Sequence, residues 1–363
     1  MKRKVVVAMS GGVDSSTAAY LLSEEGYEVI GVSLDLYDFS EVIEARAGTC
    51  CSLDDIYDAR DVCFKLGVPH YVFNYRDIFK TEVIDNFVRE YGEGRTPNPC
   101  IVCNDVIKFE VLLDRARMLG ATFLATGHYA RIDKGEESRF RLLKGVDEKK
   151  DQSYFLYRLN QRNIPYILFP CGNYKKDEIR RIAANAGLPV NDKDDSQEVC
   201  FITEKSYADF LVKMGLSEKE GDIVTVAGEI VGKHQGLFRF TVGQRRGIGV
   251  STDVAHYVVH IDRENNRVVV GPEKYLFSAG AVVEKLNFLA GDLPEGEFAA
   301  SAKVRYRSGD VSSSVTIKED TMVVLFNRKV KSVTPGQALV LYRGEEVIGG
   351  GVIQEPIWDG KEL

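Results

Sequence analysis

The sequence predicts an α/β protein in which an N-terminal parallel sheet is followed by two small, mainly β domains. Three observations carry this prediction. A strand, a glycine turn and a helix follow one another near the N-terminus, strand and helix then alternate to about residue 205, and short strands between glycine or Asx turns come after. Alternating strands and helices indicate a parallel sheet covered on both faces. Evenly spaced short strands are typical of small barrels.

The first strand, turn and helix form the most informative segment of the chain. The apolar run Val5–Ala8 predicts a buried strand that breaks at Ser10-Gly11-Gly12, and a helix is expected from Ser15 to Glu25. Bare N–H groups and the helix dipole make such a turn an anion site, and glycines let the main chain approach a phosphate. Neither Gly-x-x-x-x-Gly-Lys-Ser nor Gly-x-Gly-x-x-Gly stands here, so two commoner phosphate loops are excluded.

The later elements define the domain organisation. A strand at 27–34 precedes a polar, irregular stretch at 37–51. Helices are expected at 54–66, 77–91, 104–119, 152–159 and 175–186, with strands at 69–73 and 122–126. A helix at 207–214 then precedes strands at 224–231, 257–262, 267–271 and 299–307. We therefore predict an N-terminal α/β domain (1–205), a small central domain (206–280) and a C-terminal β-barrel (281–363). Ligands of such parallel sheets bind at the carboxyl ends of the strands.

The composition is that of a cytoplasmic globular protein. Hydrophobic residues make up 44% of the 363 positions and charged residues 28%. No apolar run reaches membrane-spanning length, and Met-Lys-Arg-Lys leads directly into a strand, so neither a membrane span nor a signal peptide is expected. A net charge of −7 disfavours a protein coated with nucleic acid but allows a local basic face.

Two of the seven cysteines form a Cys-x-x-Cys pair, in the segment Gly94 to Asn104. Pro97 and Pro99 hold the chain extended, so that Cys100 and Cys103 fall one turn apart at a helix start. A helix N-terminus favours the thiolate, which suits a nucleophile or a metal ligand. Zinc, iron–sulfur, redox and accidental interpretations all compete for such a pair.

The remaining cysteines carry weaker signals. Cys63 falls within a helical pattern and is expected to be a small core residue. Cys50 and Cys51 are adjacent, which is poor geometry for zinc, and no role is assigned to them.

A series of motifs gives the chain a family resemblance. In order, these are Ser10-Gly-Gly-Val-Asp-Ser15, Gly94-Arg-Thr-Pro-Asn-Pro99, Cys103-Asn104, Ala125-Thr-Gly-His-Tyr-Ala130, Lys150-Asp-Gln-Ser-Tyr-Phe155, Asp195-Ser-Gln-x-x-Cys-Phe201, Thr241-x-Gly-Gln-Arg245, Arg305-Tyr-Arg307 and Thr334-Pro-Gly-Gln337. Over nearly the whole chain they resemble the tRNA-specific 2-thiouridylases, pyrophosphate-loop ATPases that replace the 2-oxygen of the wobble uridine with sulfur.

The resemblance implies ATP, Mg²⁺ and tRNA as ligands. ATP would contact Ala8, Met9, Ser10, Gly11, Gly12, Val13, Asp14, Ser15, Leu34 and Gly127, with Asp14 helping to hold the magnesium ion. The extruded target base would lie beside Asn98, Pro99 and Cys100. Further tRNA contacts would come from His128, Lys150, Asp151, Gln152, Arg305, Tyr306 and Gln337. The implied partners are the anticodon loops of tRNAs for Lys, Glu and Gln, and a sulfur donor such as a cysteine desulfurase or a relay protein.

The resemblance also implies two sulfur-bearing cysteines. Cys200 matches the persulfide carrier, and Cys103 matches the nucleophile that frees the sulfur by forming a disulfide with Cys200. The family most often has aspartate after Pro99, whereas this chain has Cys100. Cys100, Cys103 and Cys200 could therefore ligate a 4Fe–4S cluster with an open iron that binds sulfide. Persulfide and cluster routes both remain open.

Two other functions compete with thiolation. One is a pyrophosphate-loop synthetase that acts on a small acid, and the other is a non-catalytic RNA-binding or metal-storage protein with a relic loop. Release of pyrophosphate that depends on tRNA separates all three, because the synthetase would ignore tRNA and the binding protein would release none.

Overall fold

The computed structural model describes residues 2–37, 53–135, 139–193, 199–202, 204–250, 255–290 and 296–358. Most of the irregular stretch expected at 37–51, with Cys50 and Cys51, lies outside these residues. The same holds for residues 195–197 of the motif that contains Cys200.

Seventeen strands are present in the described part of the chain. They are β1 (Lys4–Ala8), β2 (Glu28–Asp35), β3 (His70–Asn74), β4 (Phe123–Ala125), β5 (Ala130–Lys134), β6 (Phe140–Lys144), β7 (Ile167–Leu168), β8 (Gly221–Thr225), β9 (Ile230–His234), β10 (Tyr257–Asp262), β11 (Arg267–Gly271), β12 (Phe277–Phe288), β13 (Glu297–Lys303), β14 (Val311–Lys318), β15 (Thr321–Lys331), β16 (Ala338–Arg343) and β17 (Glu346–Ile357).

The α-helices lie mainly in the N-terminal half. They are α1 (Val13–Glu24), α2 (Leu53–Leu66), α3 (Arg76–Phe79), α4 (Asp85–Gly92), α5 (Pro99–Val102), α6 (Leu112–Met118), α7 (Lys176–Asn185) and α8 (Tyr207–Lys213). Two π-helical stretches, Lys80–Ile84 and Cys103–Val111, make continuous helices of α3–α4 and of α5–α6. Short 3₁₀ helices occur at Ser153–Leu156, Ile164–Tyr166, Pro170–Asn173, Leu237–Arg239 and Glu273–Leu276.

The N-terminal sheet has the order β3-β2-β1-β4-β7, and all its pairs are parallel. Both faces of β1 are buried because Val5 and Val7 pack into one core cluster and Val6 into another. The chain runs from β1 outward to β3 and then returns to β4 on the other side of β1. The β1–β4 junction is therefore the switch point at which such sheets bind ligands.

Two antiparallel-rich sheets follow. The central sheet has the order β10-β11-β8-β9. The C-terminal strands β12-β15-β14-β13-β16-β17 close into a six-stranded barrel through the β12–β17 pairing. The hairpin β5–β6 adds to this barrel, since Leu142 and Leu143 pair with Val347 and Glu346. The parallel sheet, the central sheet and the barrel confirm the predicted α/β class.

Several local expectations differ from the structure. The strand expected at 224–231 is a hairpin, because Gly228 turns the chain at φ +85° and the Thr225 hydroxyl accepts bonds from Ala227 and Glu229. The helix expected at 152–159 is a single 3₁₀ turn, Ser153–Leu156. The hairpin β5–β6 was not expected at all, since its stability comes from β17, about 200 residues away.

No helix among the described residues is long and apolar enough to cross a membrane.

Candidate functional site

The glycine loop joins β1 to α1 and is held by its own serines. The Ser10 N–H donates to Ser15 Oγ at 3.1 Å, and the hydroxyls of Ser15 and Ser16 donate to the Gly12 carbonyl at 3.2 and 2.9 Å. The helix begins at Val13, two residues earlier than expected, with Gly12 as its N-cap. The first-turn amides therefore face the loop without a capping side chain, as an anion site requires.

Two glycines of the site occupy positions that no side chain fits. Gly11 has φ +67°, and a Cβ there would lie 2.2 Å from the carbonyl oxygen of Asp55. A Cβ on Gly127 would lie 2.7 Å from the backbone of Asp14 and Ser15. The strand β4 therefore delivers Gly127 directly against the start of α1.

The structure brings together all ten residues expected at the nucleotide site. Ala8 ends β1 and residues 9–15 follow it, Leu34 lies one residue before the end of β2, and Gly127 comes two residues after β4. Because β2, β1 and β4 are adjacent and parallel, these residues share one carboxyl edge of the sheet.

The Asp14 carboxylate has two partners that the sequence did not indicate. Buried Lys176 lies 2.8 Å from both of its oxygens, and the Tyr129 hydroxyl donates to it at 2.7 Å. Lys176 stands in the first turn of α7, 162 positions from Asp14. Of these two partners, only Tyr129 lies within one of the motifs of the sequence analysis, Ala125-Thr-Gly-His-Tyr-Ala130. That motif is the one signal in the sequence that could have pointed to its contact with Asp14.

A second lysine, Lys193, stabilises the glycine loop. Lys193 Nζ donates to Asp55, to Asp58 and to the Gly11 carbonyl at 2.6, 2.5 and 3.2 Å. Burial lowers the pKa of Lys193, but its bonds to the two carboxylates outweigh this and hold it above the ordinary value. The loop, α2 and the segment after α7 are thereby tied together.

The helix that carries Cys100 and Cys103 begins at Pro99, with the proline at its first position. Cys100 is exposed, while Cys103 is half-buried and starts the π-helical stretch Cys103–Val111. Buried Asn104 donates to the Phe155 carbonyl at 3.3 Å. π-Helical turns often accompany functional sites because they re-aim side chains within a helix.

Cys200 is anchored by its neighbour Phe201. Cys200 is half-buried, whereas Phe201 is fully buried, with its ring centroid 5.3–5.7 Å from those of Phe79, Phe87 and Phe210. Cys103 and Cys200 pack against the same core cluster, and both are thiols.

The three cysteines do not form a metal-binding group in the structure. Within the described ranges, no three His, Cys, Asp or Glu side chains are placed to hold a metal ion. Cys100, Cys103 and Cys200 all belong to those ranges, so they do not form a site for a single metal ion in this arrangement.

His128 lies beside Gly127 in an aromatic pocket. Its ring centroid is 6.0 Å from that of Phe109 and 5.8 Å from that of Phe169, and Nδ1 lies 2.6 Å from the Thr126 hydroxyl. Burial, followed by the nearby Lys108 charge, holds the pKa of His128 well below its usual range. His128 is therefore neutral at pH 7.

The residues expected to contact tRNA divide into two groups. Lys150 is half-buried and Arg305 exposed, and Tyr306 packs on Phe155 with ring centroids 4.5 Å apart. By contrast, buried Asp151 accepts bonds from the Gly145 and Ser153 amides, and Gln152 accepts one from the Tyr129 amide. The carboxylate of Asp151 and the side-chain carbonyl of Gln152 are thus engaged within the protein.

Gln337 is also engaged within the protein. Its Nε2 donates to the carbonyl of Thr96 at 2.8 Å and to that of Pro97 at 3.4 Å. The C-terminal barrel thereby contacts the loop that precedes Cys100.

The fold and the loop together define a nucleotide-binding α/β protein with two attached β modules. Family models match in the same order, with the tRNA methyl transferase HUP domain at residues 3–204, the tRNA methyl transferase PRC-barrel domain at 208–272 and the aminomethyltransferase beta-barrel domain at 278–353.

Similar full-length proteins specify the family. The tRNA-specific 2-thiouridylase MnmA of Geobacter metallireducens is 47% identical over 365 positions, which cover 99% of each chain. Its counterpart from Clostridium botulinum is 45% identical over 97% of this chain and 98% of its own, and that from Clostridioides difficile 43% over 98% and 99%. The chain belongs to the family of tRNA-specific 2-thiouridylases.

Proposed function

We propose that this protein catalyses the ATP-dependent 2-thiolation of the wobble uridine of tRNA. The observation that carries the proposal is the glycine loop, pre-formed at the switch point of a chain that matches 2-thiouridylases over nearly its full length. The matching domain models are described as methyl transferases. Thiolation accounts better for an intact phosphate loop and two half-buried thiols, because methyl transfer requires neither.

The uracil 2-oxygen is a poor leaving group until it is activated. Its attack on the α-phosphorus of ATP forms an adenylate and releases pyrophosphate. Sulfur then attacks C2 of the base, and AMP leaves with the former 2-oxygen. The loop amides at Gly11–Val13 stabilise negative charge on the phosphates, and Asn98–Cys100 would border the extruded base.

Asp14 and Lys176 together set the charge at the loop. Magnesium in nucleotide sites usually takes one or two carboxylates together with substrate phosphates, which Asp14 fits as a single ligand. When bound, the ion neutralises charge on the leaving pyrophosphate. Asp14 is ion-paired with Lys176 in the structure, so the ammonium group would lie beside the phosphates of a bound nucleotide.

We propose the persulfide route for sulfur delivery. A sulfur donor, such as a cysteine desulfurase or a relay protein, loads Cys200 as Cys200–S–SH. The Cys103 thiolate attacks the Sγ of Cys200, the bond to the outer sulfur breaks, and hydrosulfide leaves as a Cys103–Cys200 disulfide forms. A cellular thiol then reduces the disulfide. This route is supported by the half-buried positions of Cys103 and Cys200, which pack against the same hydrophobic core cluster.

The remaining assignments complete the proposal. The protein would act in the cytoplasm, where tRNA is modified, on tRNAs for Lys, Glu and Gln. Exposed Arg305, with Lys150 and Tyr306, would contact the RNA. The predicted domain limits at residues 205 and 280 remain our working division of the chain.

The test is thiolation by anaerobically purified protein with tRNA, ATP and a sulfur donor, followed by mass spectrometry of the nucleosides. We expect 2-thiouridine and pyrophosphate release that depends on tRNA. Pyrophosphate release without tRNA would indicate a small-molecule synthetase, and no release would indicate a binding protein.

Cysteine variants distinguish the two sulfur routes. For the persulfide route, we expect iron-free protein, loss of activity in Cys103→Ala and Cys200→Ala, and retained activity in Cys100→Asp. The control is Cys63→Ala, which removes a fully buried thiol of the other core cluster. Stoichiometric iron and sulfide, lost together with activity in Cys100→Asp, would establish the cluster route instead.

A further inference from the structure

Thr96 is the point at which the N-terminal α/β region meets both β regions. Its N–H donates to the Pro335 carbonyl at 2.9 Å, and its carbonyl accepts the bond from Gln337. Its hydroxyl lies 3.4 Å from that of Thr241, in the loop between β9 and β10. Both backbone groups and the side chain of one residue are thus committed to partners 145 or more positions away.

Close packing surrounds the same residue. Gly336 has φ +90°, and a Cβ there would lie 2.8 Å from the Thr96 nitrogen. A Cβ on Gly94 would lie 2.9 Å from Ile261 of β10. Glu90 accepts two hydrogen bonds from Arg95 and forms an ion pair with Lys285 of β12 at 3.5 Å. Three motifs that are far apart in sequence therefore meet at Thr96.

A short and stiff segment connects Thr96 to Cys100, so the position of Thr96 determines where the cysteine helix begins. Only Pro97, Asn98 and Pro99 separate it from Cys100, and two prolines leave this connection few conformations. Asn98 makes no side-chain cap bond to the helix. A cavity of about 270 Å³ lies beside the loop, lined in part by Pro97, Asn98 and Gly336. The loop is therefore held by the bonds to Thr96 together with the buried rings of Pro97 and Pro99.

We propose that the Thr96 junction, formed by Thr96, Thr241, Pro335 and Gln337, positions the helix that carries Cys100 and Cys103. Gln337 is then a positioning residue that acts through Thr96. This inference rests on the proposed function for its effect on thiolation, but its structural core, the placement of Cys103, is independent of that function.

The test replaces Gln337 by methionine, which keeps the length of the side chain and removes its donor. The matched control is Gln161→Met, because Gln161 Nε2 also donates to two carbonyls, those of Phe140 and Leu289, and links the same two regions away from the cysteines. We expect thiolation turnover at saturating tRNA and ATP to fall at least tenfold in Q337M. The tRNA Kd should change less than twofold, and Q161M should change neither quantity more than twofold.

Alkylation of Cys103 by iodoacetamide, followed by mass spectrometry without tRNA or ATP, tests the placement directly. We expect its rate to change at least threefold in Q337M and not in Q161M. Thr241→Val, which removes the hydroxyl, should shift the rate of Cys103 alkylation in the same direction as Q337M. Thr241→Ser, which keeps the hydroxyl, should leave the wild-type rate. This pair decides the question should Q337M fail to fold.

Three results would overturn the inference. A weakened tRNA Kd with unchanged turnover and alkylation would make Gln337 an RNA contact. Unchanged values throughout would mean that the junction positions nothing, as would equal effects in Q161M. Should the wild type form no 2-thiouridine, the proposed function fails, and the alkylation rates still decide whether the junction places Cys103.

Discussion

The glycine loop is positioned by contacts within the N-terminal α/β region, whereas the cysteine helix is positioned by contacts with both β regions. Ser10, Gly12 and Ser15 bond to one another within five positions of the chain. The loop before Cys100 depends on Thr241 and Gln337, which lie 145 and 241 positions from Thr96. The first site is thus built within the N-terminal α/β region, where Gly127, Lys176 and Lys193 add to the bonds of the strand–turn–helix unit, whereas the second depends on both β regions. Damage to the β regions should therefore impair sulfur transfer before it impairs ATP binding.

The largest effect should come from Gly127→Ala, which places a side chain against the glycine loop and the start of α1. Its Cβ would overlap the backbone of Asp14 and Ser15 at 2.7 Å, and neither can move without displacing α1. We expect tRNA-dependent pyrophosphate release to fall at least a hundredfold and the free energy of unfolding to fall by about 1–3 kcal/mol. Gly309→Ala, which meets no atom within 4 Å, is the control. Normal pyrophosphate release in Gly127→Ala would show that this contact does not shape the ATP site.

Lys176→Met should have the next largest effect, because it removes the cation paired with Asp14. The ammonium group that lies beside the incoming triphosphate would then be missing. We expect kcat/KM for ATP to fall about tenfold or more, with the tRNA Kd unchanged. The adjacent and exposed Lys175 provides the matched control, Lys175→Met. Equal kcat/KM values for ATP in the two variants would show that Lys176 takes no part in ATP use.

Arg305→Ala removes an exposed cation of the C-terminal barrel and should have a smaller effect. Loss of one phosphate contact should weaken tRNA binding a few-fold at every sequence and lower the slope of log K against log salt by about 1. Arg328→Ala, an exposed arginine of β15, is the control and should leave both unchanged. An unaltered salt slope in Arg305→Ala would place the RNA elsewhere.

The smallest effect is a pH dependence of stability. Burial lowers the pKa of His128 below its ordinary 6.5, so the unfolded chain binds a proton more readily than the folded one. Stability is then complete above pH 6.5 and falls as the pH drops below that value, by at most about 1.4 kcal/mol per pH unit for this group. His128→Gln should make the profile less steep in urea unfolding at pH 5–7. An unchanged profile would mean that His128 is protonated as easily in the folded state.

The sequence predicted the local site well and the distant contacts poorly. The strand, the turn and the helix at Val5–Glu24 follow from apolar run, glycines and helix periodicity, all within 20 residues. The hairpin β5–β6 could not be predicted in the same way, because its pairing with β17 is a tertiary contact. Nor does any periodicity indicate that Lys176 and Tyr129 meet at Asp14.

The sequence by itself therefore determined the fold class, the glycine loop and the family, because these depend on short segments and on ordered motifs. Only the tertiary structure decided which protein groups several of the motif residues bond to. Asp151, Gln152 and Gln337 have polar side chains of the kind that contacts RNA, yet each bonds within the protein. A motif records which residue stands at a position, whereas the partner of a polar group depends on which distant segment folds beside it.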